Sequence, residues 1–340
     1  MKLIRTEEAV GHVLCHDITQ IVKDRIKDAA FRKGHRVTAE DIPLLLSLGK
    51  EHLYVWEAQE GMLHEDEGAE ILYGICAGEY MHPSEIKEGK VEAIADREGL
   101  LTVDLNRLKA INALGEIMIA TRHSHFPVKK GDKLAGTRVI PLVISEEKMR
   151  QAEAIGGGSP LLTLHPFRSR KAAVITTGSE VYKGRIQDSF TPVIRDKLAE
   201  YDCPVLWHKL LPDEHQEITA AILEAIEAGA EIVLCTGGMS VDPDDRTPLA
   251  IKNTGAEIVS YGAPVLPGAM FLLAYLNGVP IVGLPGCVMY ARRTIFDLIL
   301  PRLIAGLEVK AEELAALGHG GLCLNCEPCT FPNCGFGKGV

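Results

Sequence analysis

The 340-residue chain lacks the features that mark membrane, secreted and nucleic-acid-binding proteins. No apolar run approaches the ~20 consecutive residues that a membrane-spanning helix needs, and residues 1–5 are not followed by the apolar stretch of a secretory signal. The formal net charge of −10 is opposite in sign to the basic patch that binds nucleic acid. We therefore expect a cytoplasmic protein with neither a membrane nor a nucleic acid as its partner.

The first half of the chain lacks a regular alternation of strands and helices, and it predicts a mixed α+β region over 1–160. Pro43 near its start and Gly49 just beyond its end predict a short helix. Alternating apolar residues predict a strand over 52–56 and β structure over 89–103 and 116–144, with a helix over 105–114. The segment 155–160, IGGGSP, contains nothing that favours order and is predicted to be a linker.

The second half changes period and predicts an α/β domain over 168–310. Apolar segments predict strands over 172–176, 205–211, 231–235 and 279–283, and 3.6-residue periodicity predicts helices over 189–201, 214–229 and 290–303. Strands that alternate with helices form a doubly wound fold with a mostly parallel sheet. Residues 318–340 follow as a cysteine-rich tail.

Three of these predicted strands end in a glycine-bearing turn. The turns read TGSE at 177–180, TGGMS at 236–240 and LPG at 284–286. Ligands of open parallel sheets bind in the crevice outside the carboxyl ends of the strands. Because the chain is acidic, an anionic ligand would be held by backbone N–H groups and a few placed cations. The turns predict a site for a bulky, phosphorylated ligand.

The first turn leads into a predicted helix that starts near Asp188 and Ser189. The free N–H groups and positive dipole end of a helix start can hold an anion. Either residue could instead cap the helix, and capping is compatible with ligand contact.

The second turn continues into an acidic segment. The glycine pair lets a ligand approach the backbone closely. Asp242, Asp244 and Asp245 are acceptor-only groups that suit Mg²⁺ or the amino groups of a pterin-like ring. The alternative is a solvated loop with Asx turns.

The combined pattern resembles a known family. TTGSE, TGGMS with DDRT, LPGA and LPG follow one another over 172–305 as they do in the molybdopterin-binding domain. Molybdopterin molybdenumtransferases, molybdopterin adenylyltransferases and competence-damage-type pyrophosphatases share this domain. The N-terminal run that starts with FRKG at 31–34 resembles part of the molybdenumtransferases, and it favours that branch over the other two.

The resemblance implies a role in molybdenum cofactor biosynthesis, in which adenylated molybdopterin receives molybdate and AMP leaves with the help of Mg²⁺. It implies catalytic roles for Asp244, Asp245 and Glu180, and Mg²⁺ ligation by Asp242 and Asp245. The implied ligand-binding residues are Thr177, Gly178, Ser179, Asp188, Ser189, Thr236, Gly237, Gly238, Met239, Ser240, Asp242, Pro267, Gly268, Pro285 and Gly286. A homodimer is also implied.

The chain departs from the molybdenumtransferase pattern at several points. Ser179 stands where the transferases usually carry aspartate, and Cys287 where they usually carry asparagine. A Ser-x-Met-Asp-Gly-Tyr-Ala-like motif is missing from the first half. These departures keep an alternative open: a non-catalytic carrier or sensor that delivers molybdopterin or the finished cofactor to a client molybdoenzyme.

Four of the nine cysteines lie in the tail. They form the pattern C-x2-C-x2-C-x4-C, close to a ferredoxin spacing, and four thiolates equally suit tetrahedral Zn²⁺. An iron–sulfur cluster is the favoured interpretation. The alternatives are zinc, thiolates that handle molybdenum or sulfur directly, and a disordered redox-sensitive tail. The predicted metal ligands are Cys323, Cys326, Cys329 and Cys334.

Overall fold

The computed structural model describes residues 2–22, 26–55, 60–240 and 246–339. The strands are β1 (Lys2–Arg5), β2 (Ile18–Val22), β3 (Ile26–Phe31), β4 (His52–Val55), β5 (Met62–His64), β6 (Met81–Pro83), β7 (Lys90–Ala95), β8 (Gly99–Val103), β9 (Ile117–Thr121), β10 (Phe126–Val128), β11 (Lys133–Val139), β12 (Val143–Ser145), β13 (Leu162–Pro166), β14 (Ala172–Thr177), β15 (Val205–Leu211), β16 (Ile232–Thr236), β17 (Glu257–Tyr261), β18 (Leu272–Leu276) and β19 (Val279–Leu284). The α-helices are α1 (Ile42–Ser47), α2 (Glu65–Cys76), α3 (Leu105–Asn112), α4 (Glu146–Gly156), α5 (Ser179–Tyr182), α6 (Phe190–Ala199), α7 (His215–Glu227), α8 (Thr247–Asn253), α9 (Ile295–Ile304) and α10 (Ala311–Ala316).

The chain forms two compact units. Unit 1 comprises Met1–Asp96, Val103–Arg122 and Gly131–Thr163, and unit 2 comprises Arg97–Thr102, His123–Lys130 and Leu164–Val340. Unit 1 contains a four-stranded antiparallel sheet in the order β6-β7-β11-β9. The mixed α+β character predicted for the first half is therefore confirmed, although two of its segments belong to unit 2.

The predicted linker at 155–160 is wrong. Its first two residues complete helix α4, which ends where Gly157 adopts a left-handed conformation with φ +65°. The Arg107 guanidinium then donates to the carbonyl oxygens of Gly156, Ser159 (2.9 Å) and Pro160 (3.1 Å). A distant arginine orders these residues, which local composition could not reveal.

Unit 2 is built on a six-stranded sheet in the order β15-β14-β16-β19-β18-β17. The first four strands are parallel neighbours, whereas β18 pairs antiparallel with both β19 and β17 and so runs against the other five. The predicted mostly parallel sheet is confirmed. The reversed strand β18 and its edge neighbour β17 were not predicted, because the segment before β18 reads as a proline-glycine turn leading into a short apolar run.

Helices cover both faces of this sheet. Along β14, Ala172 and Val174 lie in one core cluster with residues of α6 and α9, whereas Ala173 and Ile175 lie in a second cluster with residues of α7 and α8. Alternate strand residues point to opposite faces, so a strand that is apolar at every position needs a core on each side. This confirms the doubly wound α/β class.

Candidate functional site

The three glycine-bearing turns meet at one edge of the sheet of unit 2. Thr176 at the end of β14 is level with Thr236 at the end of β16, and Thr236 is level with Leu284 at the end of β19. Because the three strands are parallel neighbours, the turns that follow them emerge side by side. The convergence of the turns predicted from the sequence is therefore present in the structure.

The first and second turns touch through Gly237. A Cβ at Gly237 would overlap the carbonyl oxygen of Thr177 and lie 2.8 Å from its Oγ1. The Thr247 hydroxyl fastens the same contact by donating to the Gly237 carbonyl oxygen at 2.8 Å. A Cβ added at the neighbouring Gly238 would lie 3.0 Å from Thr247 Oγ1. Glycine at 237 thus serves contact between the turns, in addition to the close ligand approach that we predicted.

Met239 fills the space between the second turn and β19. Its side chain is 4% exposed, and a Cβ at Gly283 would lie 2.5 Å from its Cε. The Tyr261 hydroxyl donates to the Met239 carbonyl oxygen at 3.1 Å. The Met239 side chain therefore belongs to the core, and only its backbone is placed to contact a ligand. Thr236 is likewise fully buried, while Ser240 is exposed.

The predicted Asp242, Asp244 and Asp245 lie outside the described residues. Within the described ranges, no group of three histidine, cysteine, aspartate or glutamate residues is placed to hold a single metal ion.

Asp188, not Ser189, caps helix α6. Its carboxylate accepts from the backbone N–H groups of Phe190 at 2.9 Å and Thr191 at 3.1 Å. The Ser189 hydroxyl instead donates to the carbonyl oxygen of Gln187 at 3.4 Å. The capping alternative is confirmed for Asp188, and the two helix-start amides that could have held an anion are already bonded to it.

The cap belongs to a polar network behind the first turn. The Thr191 hydroxyl donates to Asp188 at 2.6 Å and lies 3.1 Å from His208 Nε2. Burial alone would raise the pKa of Asp188, but hydrogen bonds from Thr191 and Phe190 outweigh it and lower that pKa. Burial also lowers the pKa of His208, against the opposing effect of Asp188. The network holds an ionised carboxylate beside a neutral imidazole.

The start of the first turn is held by a residue that we did not predict. The Ser179 N–H donates to Asp213 Oδ2 at 2.7 Å, and Asp213 follows the end of β15. The rule that sites form at the carboxyl ends of parallel strands could have identified it. Helix α5 starts at Ser179 and places Glu180 on the surface, exposed beside Gly178.

The far side of the candidate site contains two proline-glycine pairs. Gly268 lies against Ile295 at the start of α9, where an added Cβ would overlap Ile295 Cγ2. Pro285 is buried, whereas Gly286 is exposed with no atom within 4 Å of an added Cβ. Gly286 therefore borders open space, as a ligand-facing wall requires. Burial raises the pKa of the half-buried Cys287 thiol next to it.

None of the helices in the described ranges reaches the length and apolar character of a membrane span.

Comparison with known proteins identifies the region that contains the turns. Residues 173–305 match the family described as "Probable molybdopterin binding domain", and residues 3–57 match a domain of unknown function. The resemblance to the molybdopterin-binding domain that was predicted for 172–305 is therefore confirmed. The matching N-terminal family carries no assigned function, so the predicted likeness of 31–34 to molybdenumtransferases stays a prediction.

Curated relatives act in molybdopterin chemistry. Molybdopterin molybdenumtransferase of Haemophilus influenzae is 30% identical over 149 residues, which cover 42% of this chain and 36% of that protein. Molybdopterin adenylyltransferase of Pyrococcus furiosus is 34% identical over 92 residues, covering 27% of this chain and 54% of that protein. The chain thus spans between about a third and about half of the length of these relatives. The structure of the molybdopterin biosynthesis enzyme MoaB from Thermus thermophilus aligns with a TM-score of 0.34 at 24% identity, covering 40% of this chain and 97% of that one.

Proposed function

We propose that unit 2 binds adenylated molybdopterin at the three turns and promotes magnesium-dependent insertion of molybdate with release of AMP. The observation that carries this proposal is the contact of the first and second turns, Gly237 against Thr177, inside the segment that matches a molybdopterin-binding family. The packed turns give a fixed surface of backbone N–H groups, and such groups hold phosphate without a positive field.

The proposed roles follow from position. The backbone of 236–240 would hold the phosphate or pterin, with Thr177, Gly178 and Ser179 along the adjoining turn. Glu180 would lie at the exposed mouth. Pro267, Gly268, Pro285 and Gly286 would form the opposite wall. Asp188 and Ser189 would border the ligand at the start of α6. Asp188 would do so by fixing the helix start, because the backbone amides there already donate to its carboxylate.

Asp242 and Asp245 would hold Mg²⁺, since carboxylate oxygens are the ligands that this ion prefers, and Asp244 would act beside them on the adenylated diphosphate. The ion would neutralise charge on the diphosphate as the phosphoanhydride bond breaks and AMP leaves. The chain's own part is to position the diphosphate against the second turn and to keep the pterin against the far wall.

The test is AMP release by the purified, anaerobically handled protein given adenylated molybdopterin, Mg²⁺ and molybdate. We expect release that depends on both molybdate and Mg²⁺, and we expect Asp244→Ala and Asp245→Ala to abolish it. Release that is unchanged in both variants would remove these aspartates from the mechanism.

A second candidate is a carrier or sensor that binds molybdopterin, or the finished cofactor, and delivers it to a client molybdoenzyme. Ser179 and Cys287, which replace the aspartate and asparagine usual in transferases, favour it. Its signature is tight molybdopterin binding without AMP release, followed by transfer to an apo-molybdoenzyme. Both candidates place the protein in the cytoplasm as a homodimer, and sedimentation of the purified chain tests the dimer.

Metal binding by Cys323, Cys326, Cys329 and Cys334 completes the proposal, with an iron–sulfur cluster favoured over Zn²⁺.

A further inference from the structure

The cysteine tail is docked onto unit 2. Phe336, beyond the last cysteine, is 4% exposed and belongs to the same core cluster as residues of α9. The Phe331 ring lies 5.9 Å from that of Phe126 and 6.2 Å from that of Phe336, measured between centroids. A segment with a buried aromatic anchor is ordered by the hydrophobic effect, which argues against the disordered alternative.

The tail is fastened to the turn that leads into Pro267 and Gly268. The Leu266 N–H donates to the Gly321 carbonyl oxygen at 2.8 Å, and the Cys323 N–H donates to the Leu266 carbonyl oxygen at 2.8 Å. Both backbone groups of Leu266 are therefore bonded to the residues that flank Leu322. The backbone around Cys323, the first tail cysteine, is therefore hydrogen-bonded to one wall of the candidate site.

All four tail cysteines line a single cavity of about 230 Å³, together with Arg293 and Phe331. Cys323 and Cys334 are half-buried, whereas Cys326 and Cys329 are exposed. Arg293 is held in place by Asp297, at 2.8 Å, and its guanidinium stacks 4.9 Å from the Phe331 ring. A fixed cation thus borders a cavity that is lined by all four tail cysteines.

The spacing of the four cysteines and the size of the cavity that they line favour a cluster over a single zinc ion. Tetrahedral zinc has Zn–S bonds of about 2.3 Å, which bring its four sulfurs within ~4 Å of one another. Within 246–339, no three cysteine, histidine or acidic side chains converge closely enough to hold one ion. The pattern C-x2-C-x2-C-x4-C lies close to a ferredoxin spacing, in which each iron of a cluster takes one cysteine. The cavity of about 230 Å³ that all four cysteines line has room for a group of several metal atoms.

We propose that Cys323, Cys326, Cys329 and Cys334 bind one iron–sulfur cluster, and that the loaded cluster holds the turn at Leu266 in place. Arg293 offsets part of the negative charge of the four thiolates and the sulfide. Because Cys323 is both a ligand and a hydrogen-bond donor to Leu266, fixing its sulfur also fixes that turn. If unit 2 binds molybdopterin as proposed, the loaded cluster would then fix the far wall of the site and so control the affinity for molybdopterin.

The first experiment reconstitutes the full chain anaerobically with ferric iron, a thiol reductant that supplies the ferrous share, and sulfide, and it measures bound iron and acid-labile sulfide. We expect iron and sulfide in roughly equal amounts, with the broad visible absorption of a cluster and an electron paramagnetic resonance signal after reduction. Cys326→Ser and Cys329→Ser should lose most of both elements. Both side chains are exposed, so neither change should disturb folding, which circular dichroism checks.

Cys287→Ser is the matched control, because this half-buried thiol lies outside the cavity lining. It should load iron and sulfide as the unchanged chain does. Full loading of Cys326→Ser and Cys329→Ser would overturn the proposal. So would a reconstituted protein that takes up one zinc ion per chain in competition and excludes iron and sulfide.

The second experiment measures hydrogen exchange at the Leu266 and Cys323 amides. Loading should slow both by about tenfold in the unchanged chain and leave them unaffected in Cys326→Ser. Equal exchange with and without the cluster would overturn the link to the turn. A protein that loads the cluster and protects these amides but binds no molybdopterin would leave this inference standing and remove the proposed function instead.

Discussion

Gly237 lies so close to the Thr177 carbonyl oxygen that no side chain can stand between the first and second turns. This contact joins the ends of β14 and β16 more tightly than the strand pairing alone does. It also explains why a glycine is needed at this position whether or not a ligand is bound. The shape of the candidate site therefore depends on a contact made within the protein.

Gly237→Ala should separate the two turns. The new Cβ meets the Thr177 backbone and must also adopt a φ near +86°. The backbone strain alone costs about 1 kcal/mol, and we expect a larger total loss in the free energy of unfolding, measured by denaturant titration, together with loss of molybdopterin binding.

Gly229→Ala is the control for this variant, because Gly229 has φ +91° and nothing within 4 Å of an added Cβ. It carries the same backbone strain without the collision. If both variants lost equal stability, the contact with Thr177 would have no energetic importance.

Gly286→Ala should change binding without changing stability. Gly286 is exposed and its added methyl group meets no atom of the protein. We expect the free energy of unfolding to stay within about 0.5 kcal/mol while the affinity for molybdopterin falls, as read by calorimetry. Unchanged affinity would remove this residue from the proposed wall.

Lys197 and Asp297 form a buried ion pair that joins α6 to α9. Nζ and Oδ1 are 2.6 Å apart, and both residues are almost fully buried. Asp297 also accepts from Arg293 at 2.8 Å and from the Thr294 N–H at 2.8 Å. It therefore keeps partners when Lys197 is lost, whereas Lys197 loses its only ion-pair partner among the described residues when Asp297 is lost.

Asp297→Ala should therefore cost about 3–5 kcal/mol in the free energy of unfolding, and Lys197→Met clearly less. Denaturant unfolding of both variants checks the order. An equal or reversed order would show that Arg293 and Thr294 do not support the carboxylate.

Glu65 should make unit 1 less stable as the pH rises. Burial is the largest cause that raises the pKa of Glu65 from 4.5 to about 7, aided by Asp66 and Glu88 and opposed by Arg138 and Lys33. The folded state therefore favours the protonated form. Its contribution to stability is present in full below pH 4.5 and is lost as the pH rises through about 7.

The loss amounts to about 3 kcal/mol. Glu65→Gln keeps a neutral side chain of similar shape at every pH, so its stability should not decline over this range. Thermal unfolding of both proteins between pH 4.5 and 7.5 measures the difference. Parallel stability profiles would show that Glu65 ionises freely in the folded protein.

Much of unit 2 was predictable, because its signals are local. The strand β15 has the bounds predicted from its apolar run, 205–211. The last sheet helix was predicted from residue 290 but begins at Ile295. A capping box sets its start, in which Thr294 accepts from the Phe296 N–H and Asp297 accepts from the Thr294 N–H. The apolar periodicity continues through the capping residues, so it does not show where the helix begins.

The contacts that shape the candidate site were less predictable. The sequence indicated which turns converge, but not that Met239 packs into the core or that Asp213 bonds to Ser179. These depend on which strands are neighbours, and strand order is a long-range property. The hydrogen bonds by which Arg107 orders the residues after α4 are likewise long-range contacts that local sequence does not reveal.

The bonds between Leu266 and the residues flanking Leu322 extend unit 2 beyond the segment that matches the family. The matched family segment stops at residue 305, yet a backbone wall of the candidate site is completed by residues 321 and 323, and the hydrophobic core by Phe336. A fragment cut at the family boundary would expose part of that core and leave both Leu266 backbone groups to water. The tail is therefore an integral part of unit 2 and not an appendage to it.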